Sequence, residues 1–505
     1  MARKKTSKKK AGKPAAKKAV KKKSAPRKTS KKTSGEDKEK AEPRVRMSMG
    51  EVNQQFIKDT GSSFLVTPEQ YEIFAVNRIY TPLVDIDLVL KPAFGKRICI
   101  IGDESTGKTV TTLILAGAAQ NTCRECFMPI IDWVSPETGE VIVTCKCGKN
   151  SPMVVLHIDV EDCFDPPWAR RWGVRVGDDI IQKKGFDLIK SDDETFWVAL
   201  PRDGNAAFDF AVDAILHGAV DVVTFDSLAM LTPRETLGPG VGEARISPLA
   251  RLASEGLKKI VNAQIVAKQD FNARATVIWT NQFYLGPVKN PKQDPRRPSG
   301  GKKAQYSQDL EMRIISATPD FDARASRVGA DKSARFIDVK FEAKKGKAAG
   351  PPLGQGSYRL YLDTVKTKHG FLTAGDTNDY DRLFSYLEAL GYYRKTKNAH
   401  TVLGREFKKV AEMRSFLMRR DIGYIARYLI FREMLPVTAK DHLRKSHYEY
   451  SPFGLDPFVA ESEKIVNESP GEVDLSGEAE DDREEGEDSS WLKESLGEEI
   501  EDQQG

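Results

Sequence analysis

Gly102-Asp103-Glu104-Ser105-Thr106-Gly107-Lys108-Thr109 is the stretch from which the fold of this 505-residue chain is read. It fits GxxxxGK[ST], and its flanks meet the motif's chemical requirements. Before it, residues 97–101 read as a short buried strand; after it, Leu113, Leu115 and Ala118 keep the apolar spacing of a helix. Strand, glycine turn and helix N-terminus together make a phosphate cradle. Gly102 and Gly107 let backbone N–H groups wrap the oxygens, Lys108 brings a point charge to the β/γ oxygens, and Thr109 offers a hydroxyl to Mg²⁺. Asp103, Glu104, Ser105 and Thr106 complete the nucleotide-binding loop.

Three more apolar runs end in polar residues, as parallel strands do when their C-terminal ends carry a site. Residues 154–159 lead to Glu161, residues 221–225 end in Asp226-Ser227, and residues 276–280 end in Asn281-Gln282. The pattern predicts an α/β fold with a mostly parallel sheet. Asp226 is the expected metal-side carboxylate, and Glu161 is placed to orient or deprotonate water. One strand-end carboxylate is ordinarily a cap or a solvated turn; three polar strand ends beside a phosphate loop indicate a site.

These segments also resemble a family. The phosphate loop, Ile158-Asp159-Val160-Glu161-Asp162, Asp165-Pro166-Pro167-Trp168-Ala169-Arg170, Phe225-Asp226-Ser227-Leu228-Ala229-Met230-Leu231-Thr232-Pro233, Asn281-Gln282 and Gly300-Gly301 resemble the bacterial RecA recombinases in order and spacing. The resemblance covers residues 76–365 and implies a RecA-type P-loop ATPase that binds ATP and Mg²⁺ between subunits of a helical filament. By that resemblance Lys108 and Thr109 contact nucleotide and Mg²⁺, Asp226 supports the metal, Glu161 is the base and Gln282 senses the γ-phosphate. Trp168 falls where the family stacks a Tyr on adenine, and Asp165 where a carboxylate meets the adenine amino group. Lys345 and Lys347 resemble paired lysines that reach the neighbouring subunit's γ-phosphate; the plain alternative is a solvated charge run.

Two segments are expected to bind DNA. The glycine-rich stretch 237–245, with Gly240 and Arg245, reads as a mobile loop. After Gln282 a long polar segment carries Lys289, Lys292, Arg296, Arg297, Lys302 and Lys303. By resemblance these are the DNA loops of the filament axis, with Gly300 and Gly301 at the second loop's end and Arg251 and Lys258 on a helix touching the backbone. Cations would neutralise phosphates, and Leu285 would wedge between bases of single-stranded DNA. Any single Lys or Arg among them is as readily a plain surface residue.

An insertion at residues 121–152 departs from the family. It carries Cys123, Cys126, Cys145 and Cys147, with 18 residues between the pairs. The spacing predicts a zinc-ribbon-like unit with a structural Zn²⁺ and a hairpin over 130–143; surface cysteines or a redox pair are the alternatives. Cys99 and Cys163 read as buried, inert thiols. The C-terminal residues 366–440 read as a small helical domain, with stripes at Leu383, Phe384, Leu387 and Leu390, at Phe407, Val410 and Ala411, and at Ile425, Tyr428, Leu429 and Met434. Its Arg405, Lys408, Lys409, Arg414, Arg419 and Arg420 suggest a gateway for duplex DNA.

Charge separates the ends. Residues 1–46 hold 20 basic and 4 acidic residues, and residues 461–505 hold 3 and 18. Both the Lys-rich tail 1–46 and the acidic tail 441–505 lack the apolar content to fold. The first suits a non-specific DNA anchor or an import address, the second restraint of duplex entry or solubility. Residues 47–75 are the expected N-terminal subunit-contact segment. No apolar run approaches the roughly 18 residues of a membrane span. The location expected is therefore cytoplasmic, on the nucleoid, or in host cytoplasm if the source is viral. The function expected is an ATP-dependent recombinase pairing single-stranded with double-stranded DNA; a RecA-fold helicase or branch-migration motor, and a non-catalytic DNA-organising or mediator protein, are the rivals.

Overall fold

The computed structural model describes residues 48–60, 77–135, 137–177, 180–183, 186–190, 194–238, 248–271, 275–285, 296–321, 334–346, 354–363, 365–367, 370–372, 380–397 and 399–434. Both charged tails, Gly240, Arg245, Lys347 and residues 286–295 lie outside these residues. Residues 1–66 and 67–505 form separate units. In the first, a helix spans Met49–Thr60 within the expected subunit-contact segment. Ser48 and Glu51 start it as a reciprocal capping box: the Ser48 amide donates to the Glu51 carboxylate at 2.7 Å, and the Glu51 amide donates to Ser48 Oγ at 3.3 Å.

The strands of the second unit, in chain order, begin with β1 (Arg97–Ile101), the separate insertion hairpin β2 (Ile131–Val134) and β3 (Val141–Thr144), and β4 (Val155–Asp159). There follow β5 (Ile180–Lys183), β6 (Phe186–Lys190), β7 (Phe196–Ala199), β8 (Val222–Asp226) and β9 (Thr276–Asn281). A ribbon of β10 (Phe283–Leu285) and β11 (Arg296–Pro298) precedes β12 (Leu310–Phe321), β13 (Ala334–Gly346) and β14 (Gln355–Tyr361). The main sheet runs β14-β13-β12-β1-β9-β8-β4-β7-β6-β5. From β12 to β7 neighbouring strands are parallel, and the pairs at both edges are antiparallel. The chain thus has the mostly parallel sheet that the strand pattern predicts.

Successive side chains of a strand point to opposite faces, and the core divides accordingly. Ile98 and Ile100 of β1 join the core on the face of the phosphate-loop helix Lys108–Gln120, while Cys99 and Ile101 join the opposite core under the helices Gly204–Leu216 and Pro248–Phe271. Close approach of these two helices requires glycine at Gly256, where an added Cβ would lie 2.4 Å from the Phe208 ring.

The C-terminal region is not wholly helical. Helices Tyr380–Ala389, Val410–Leu417 and Arg420–Met434 pack with a three-stranded antiparallel sheet of Tyr393–Lys395, His400–Val402 and Arg405–Phe407. Phe407 lies on that sheet rather than on a helical stripe, because its aromatic ring fills the space against Phe416 at 5.2 Å. Two of the suggested gateway cations are turned to structural use: Arg414 is buried over the Tyr380 ring at 5.3 Å, and Arg419 donates to Asp421 at 2.6 Å.

Asp85 ties this region to the core. Its buried carboxylate accepts from the Arg382 guanidinium, from Tyr386 Oη at 3.1 Å and from the Ser357 amide at 2.8 Å. Asp85→Ala is expected to lower unfolding stability by about 1.5–3 kcal/mol, since it removes the buried acceptor that a half-buried guanidinium, a half-buried phenol and the Ser357 amide share. The urea midpoint should fall at an unchanged slope; a loss under about 1 kcal/mol would mean that both donors find other partners.

Candidate active site

The phosphate loop joins β1 to the helix Lys108–Gln120, whose N-cap Gly107 has φ 83°. An L side chain is strained at that angle. At Gly102 an added Cβ would lie 2.8 Å from Thr106 Oγ1, so the loop closes over a space that only glycine leaves open. Asp103, Glu104 and Ser105 are exposed, Thr106, Gly107 and Thr109 are half-buried, and Lys108 is buried. Lys108 Nζ donates to the Asp103 carbonyl, folded back on its own loop. Burial pushes the Lys108 ammonium below its ordinary range, against the pull of Asp226, Glu161, Asp103 and Glu104. Those four groups are the charges that face it, so the carboxylates predicted from separate strands share its field.

Asp226 closes β8 at 3% exposure. Thr280 Oγ1 on β9 donates to its Oδ1 at 2.5 Å, while Oδ2 is buried and has no hydrogen-bond partner among the described residues. A buried carboxylate oxygen without a donor suits a hydrated cation, so the donor set of Thr109 and Asp226 fits Mg²⁺. Glu161 lies two residues beyond the end of β4, past Val160, and Ser227 Oγ donates to its Oε1 at 2.5 Å.

Several residues of the site escaped the sequence reading as site residues. Asp159, buried at the end of β4, accepts from the amides of Glu161, Cys163 and Phe164 at 3.1, 2.9 and 2.8 Å, and so shapes the turn that presents Glu161. His157 is buried beneath it, with Nδ1 2.7 Å from Thr224 Oγ1. Burial pushes its imidazole down despite Asp226 and Asp159, so it is neutral at pH 7. Ser227 directly follows Asp226 in the chain, a signal that was available; the Thr280 contact required knowing that β9 neighbours β8. Cys163 is exposed, not buried, because the Asp159 turn lifts it out of the sheet. Its thiol is pushed up to about 11 by partial burial and by Asp159, Asp226, Glu161 and Asp162, so it stays protonated.

Asp165 caps the short helix Pro166–Arg171, accepting from the Trp168 amide at 3.4 Å. Trp168 is half-buried, edge-on to Trp172 at 5.4 Å and beneath the Arg171 guanidinium at 5.7 Å.

Residues 135–345 match the family model of the RecA N-terminal domain. That match starts within the insertion, so the phosphate loop rests on its own motif and geometry. Two relatives named RecA align over longer stretches. Protein RecA 2 of Myxococcus xanthus is 27% identical over 342 residues, which is 67% of this chain and 76% of that protein. Protein RecA of Teredinibacter turnerae is 24% identical over 360 residues, 70% of this chain and 83% of that protein. Protein RecA of Treponema pallidum is 29% identical over 191 residues, 38% and 34% of the two chains. The chain is similar to RecA proteins over about two thirds of its length.

The second polar segment springs from the candidate site. The Gly102 amide donates to the Asn281 carbonyl at 3.4 Å, Asn281 Nδ2 donates to the Ser299 carbonyl at 3.1 Å, and the Ser299 amide donates to the Gln282 carbonyl at 3.1 Å. Gln282, half-buried, therefore stands where the phosphate loop meets the β10–β11 ribbon. Arg296 on that ribbon reaches Asp103 of the phosphate loop at 4.0 Å, and Arg296 and Arg313 both lie over the Phe283 ring, at 5.5 and 5.4 Å. Leu285 is 78% exposed and pairs in register with Arg296.

Gly300 and Gly301, with φ 80° and 75°, turn the ribbon into the helix Gly301–Ser307, which carries exposed Lys302 and Lys303. A Cβ on Gly301 would lie 3.4 Å from Ala250, so this helix sits on the start of Pro248–Phe271, the helix of Arg251 and Lys258. The fold thus gathers cations from two predicted DNA segments. Arg251 already meets Glu235 at 2.9 Å, and Lys258 is exposed. Lys345 falls at the end of β13, in register with Glu311.

Proposed function

We propose that this chain is an ATP-dependent DNA recombinase that assembles on single-stranded DNA and pairs it with a homologous duplex. The observation that carries this reading is the double role of Asn281-Gln282: one peptide turn is hydrogen-bonded both to the phosphate loop and to the stem of the cationic ribbon. A change in what the phosphate loop holds is then transmitted to the DNA-facing segment without an intervening domain.

ATP bound with Mg²⁺ supplies the phosphoryl group whose cleavage resets the protein. Residues 102–109 would hold the phosphates, Thr109 and the unpartnered Oδ2 of Asp226 would hold the cation and its waters, and Trp168 would face the base. Glu161 takes the proton of the attacking water at the carboxylate that Ser227 orients, and Gln282 reads the loop's occupancy. Lys345 and Lys347 would complete the site of an adjoining subunit, making turnover depend on assembly. Among the described residues no helix is long and apolar enough to cross a membrane.

The test is ATP hydrolysis without DNA, with single strands and with duplex, alongside electron microscopy and a labelled strand-exchange assay. Hydrolysis stimulated by single strands, helical filaments and exchanged strands are expected. Closed rings that unwind duplex would make the chain a motor, and an absence of DNA-stimulated turnover would leave a DNA-organising protein.

A further inference from the structure

The insertion does more than interrupt the core. Cys123 and Cys126 follow the phosphate-loop helix, and Cys145 and Cys147 follow the β2–β3 hairpin. Their four sulfurs lie within 4.8 Å of one another, with Cys147 Sγ 3.6 Å from Cys123 Sγ and 3.5 Å from Cys145 Sγ. All four are free cysteines. The two close separations are near the roughly 3.8 Å edge of a tetrahedron with about 2.3 Å from metal to sulfur.

The hairpin that these cysteines close is also the surface on which the C-terminal helix Arg420–Met434 rests. Trp133 on β2 meets Tyr424 edge-on at 5.6 Å, and the Val134 amide donates to Asp421 Oδ2 at 3.2 Å. Cys123, Cys145, Met128, Ile131 and Trp133 share one apolar cluster with Leu417, Ile422, Ile425 and Leu429. Two four-residue strands cannot hold such a surface rigid alone. At the base of the insertion Arg124 pairs with Asp221 at 2.7 Å, which fixes it to the core.

We propose that Cys123, Cys126, Cys145 and Cys147 bind one Zn²⁺ in a closed tetrathiolate site, and that this metal holds the hairpin as the seat of the C-terminal domain. Binding releases the four thiol protons to solvent, with no change of oxidation state. With every position filled by sulfur, the ion is structural and takes no part in catalysis. The inference is independent of the recombinase reading and stands or falls without it.

The test uses the full chain purified under reducing conditions. Elemental analysis should give one zinc per chain. Chelation in the presence of reductant should raise amide hydrogen exchange at least about 10-fold across residues 131–144 and Arg420–Met434, leave β1 and β9 unchanged, and be reversed by added Zn²⁺. The double substitution Cys145→Ser, Cys147→Ser should reproduce the chelated pattern. Trp133→Ala, which keeps all four thiols, should retain zinc yet loosen Arg420–Met434, and so covers the case in which the cysteine variant fails to fold. Iron in place of zinc, or no bound metal, overturns the site. Zinc removal that leaves exchange in Arg420–Met434 unchanged overturns its role as the seat.

Discussion

Lys108→Ala is expected to lower ATP turnover by at least about 10²–10³-fold, the loss typical when one preorganised stabiliser of developing charge is removed. The fold should survive it. Burial holds the Lys108 ammonium below its ordinary range even with Asp226, Glu161, Asp103 and Glu104 nearby, so the charged form is disfavoured in the native protein. A group whose charge is disfavoured on folding does not stabilise the fold through that charge. Loss of turnover with an unchanged melting temperature is therefore the predicted pair of results. Turnover within a few-fold of wild type would remove Lys108 from the site; loss of turnover together with collapse of the melting transition would show that the side chain holds the loop instead.

Glu161→Gln should lower kcat by about 10²–10⁴-fold while nucleotide affinity changes little, because the amide keeps the shape of the side chain but cannot take a proton. The hydrogen bond from Ser227 can survive, since the amide oxygen still accepts. Ser227→Ala asks a different question: it removes the donor and leaves the base. Its effect on kcat should be smaller than that of Glu161→Gln. Single-turnover measurements with labelled ATP separate the steps, binding first and cleavage second. If Glu161→Gln cleaves at the wild-type rate, another group activates the water and the contact with Ser227 is a structural tie.

Some of this was legible in the chain because it is local. The phosphate loop is a strand, a glycine turn and a helix start in consecutive residues, and β1 falls at Arg97–Ile101 as the apolar run predicts. The strand ends at Asp159, Asp226 and Asn281 are marked by the change from apolar to polar side chains. The hairpin within the insertion appears between the cysteine pairs, as their spacing predicts. Alternation of side chains and the φ > 0 demanded at Gly107 are properties of a few neighbouring residues, and a sequence states them directly.

The rest depends on which distant segments cover one another. The residues alone say nothing of β9 lying between β1 and β8, yet that order brings Thr280 to Asp226 and Asn281 to Gly102. Ser227 meets Glu161 across 66 residues of chain, and Asp85 meets Arg382 across 297. Arg414 carries the same charge as Lys302, but an aromatic surface on another helix buries one and leaves the other in water. Local periodicity determined the elements and the loop that holds phosphate. Tertiary packing decided the partners, because a buried carboxylate or guanidinium is satisfied by whichever segment the apolar core has already brought beside it.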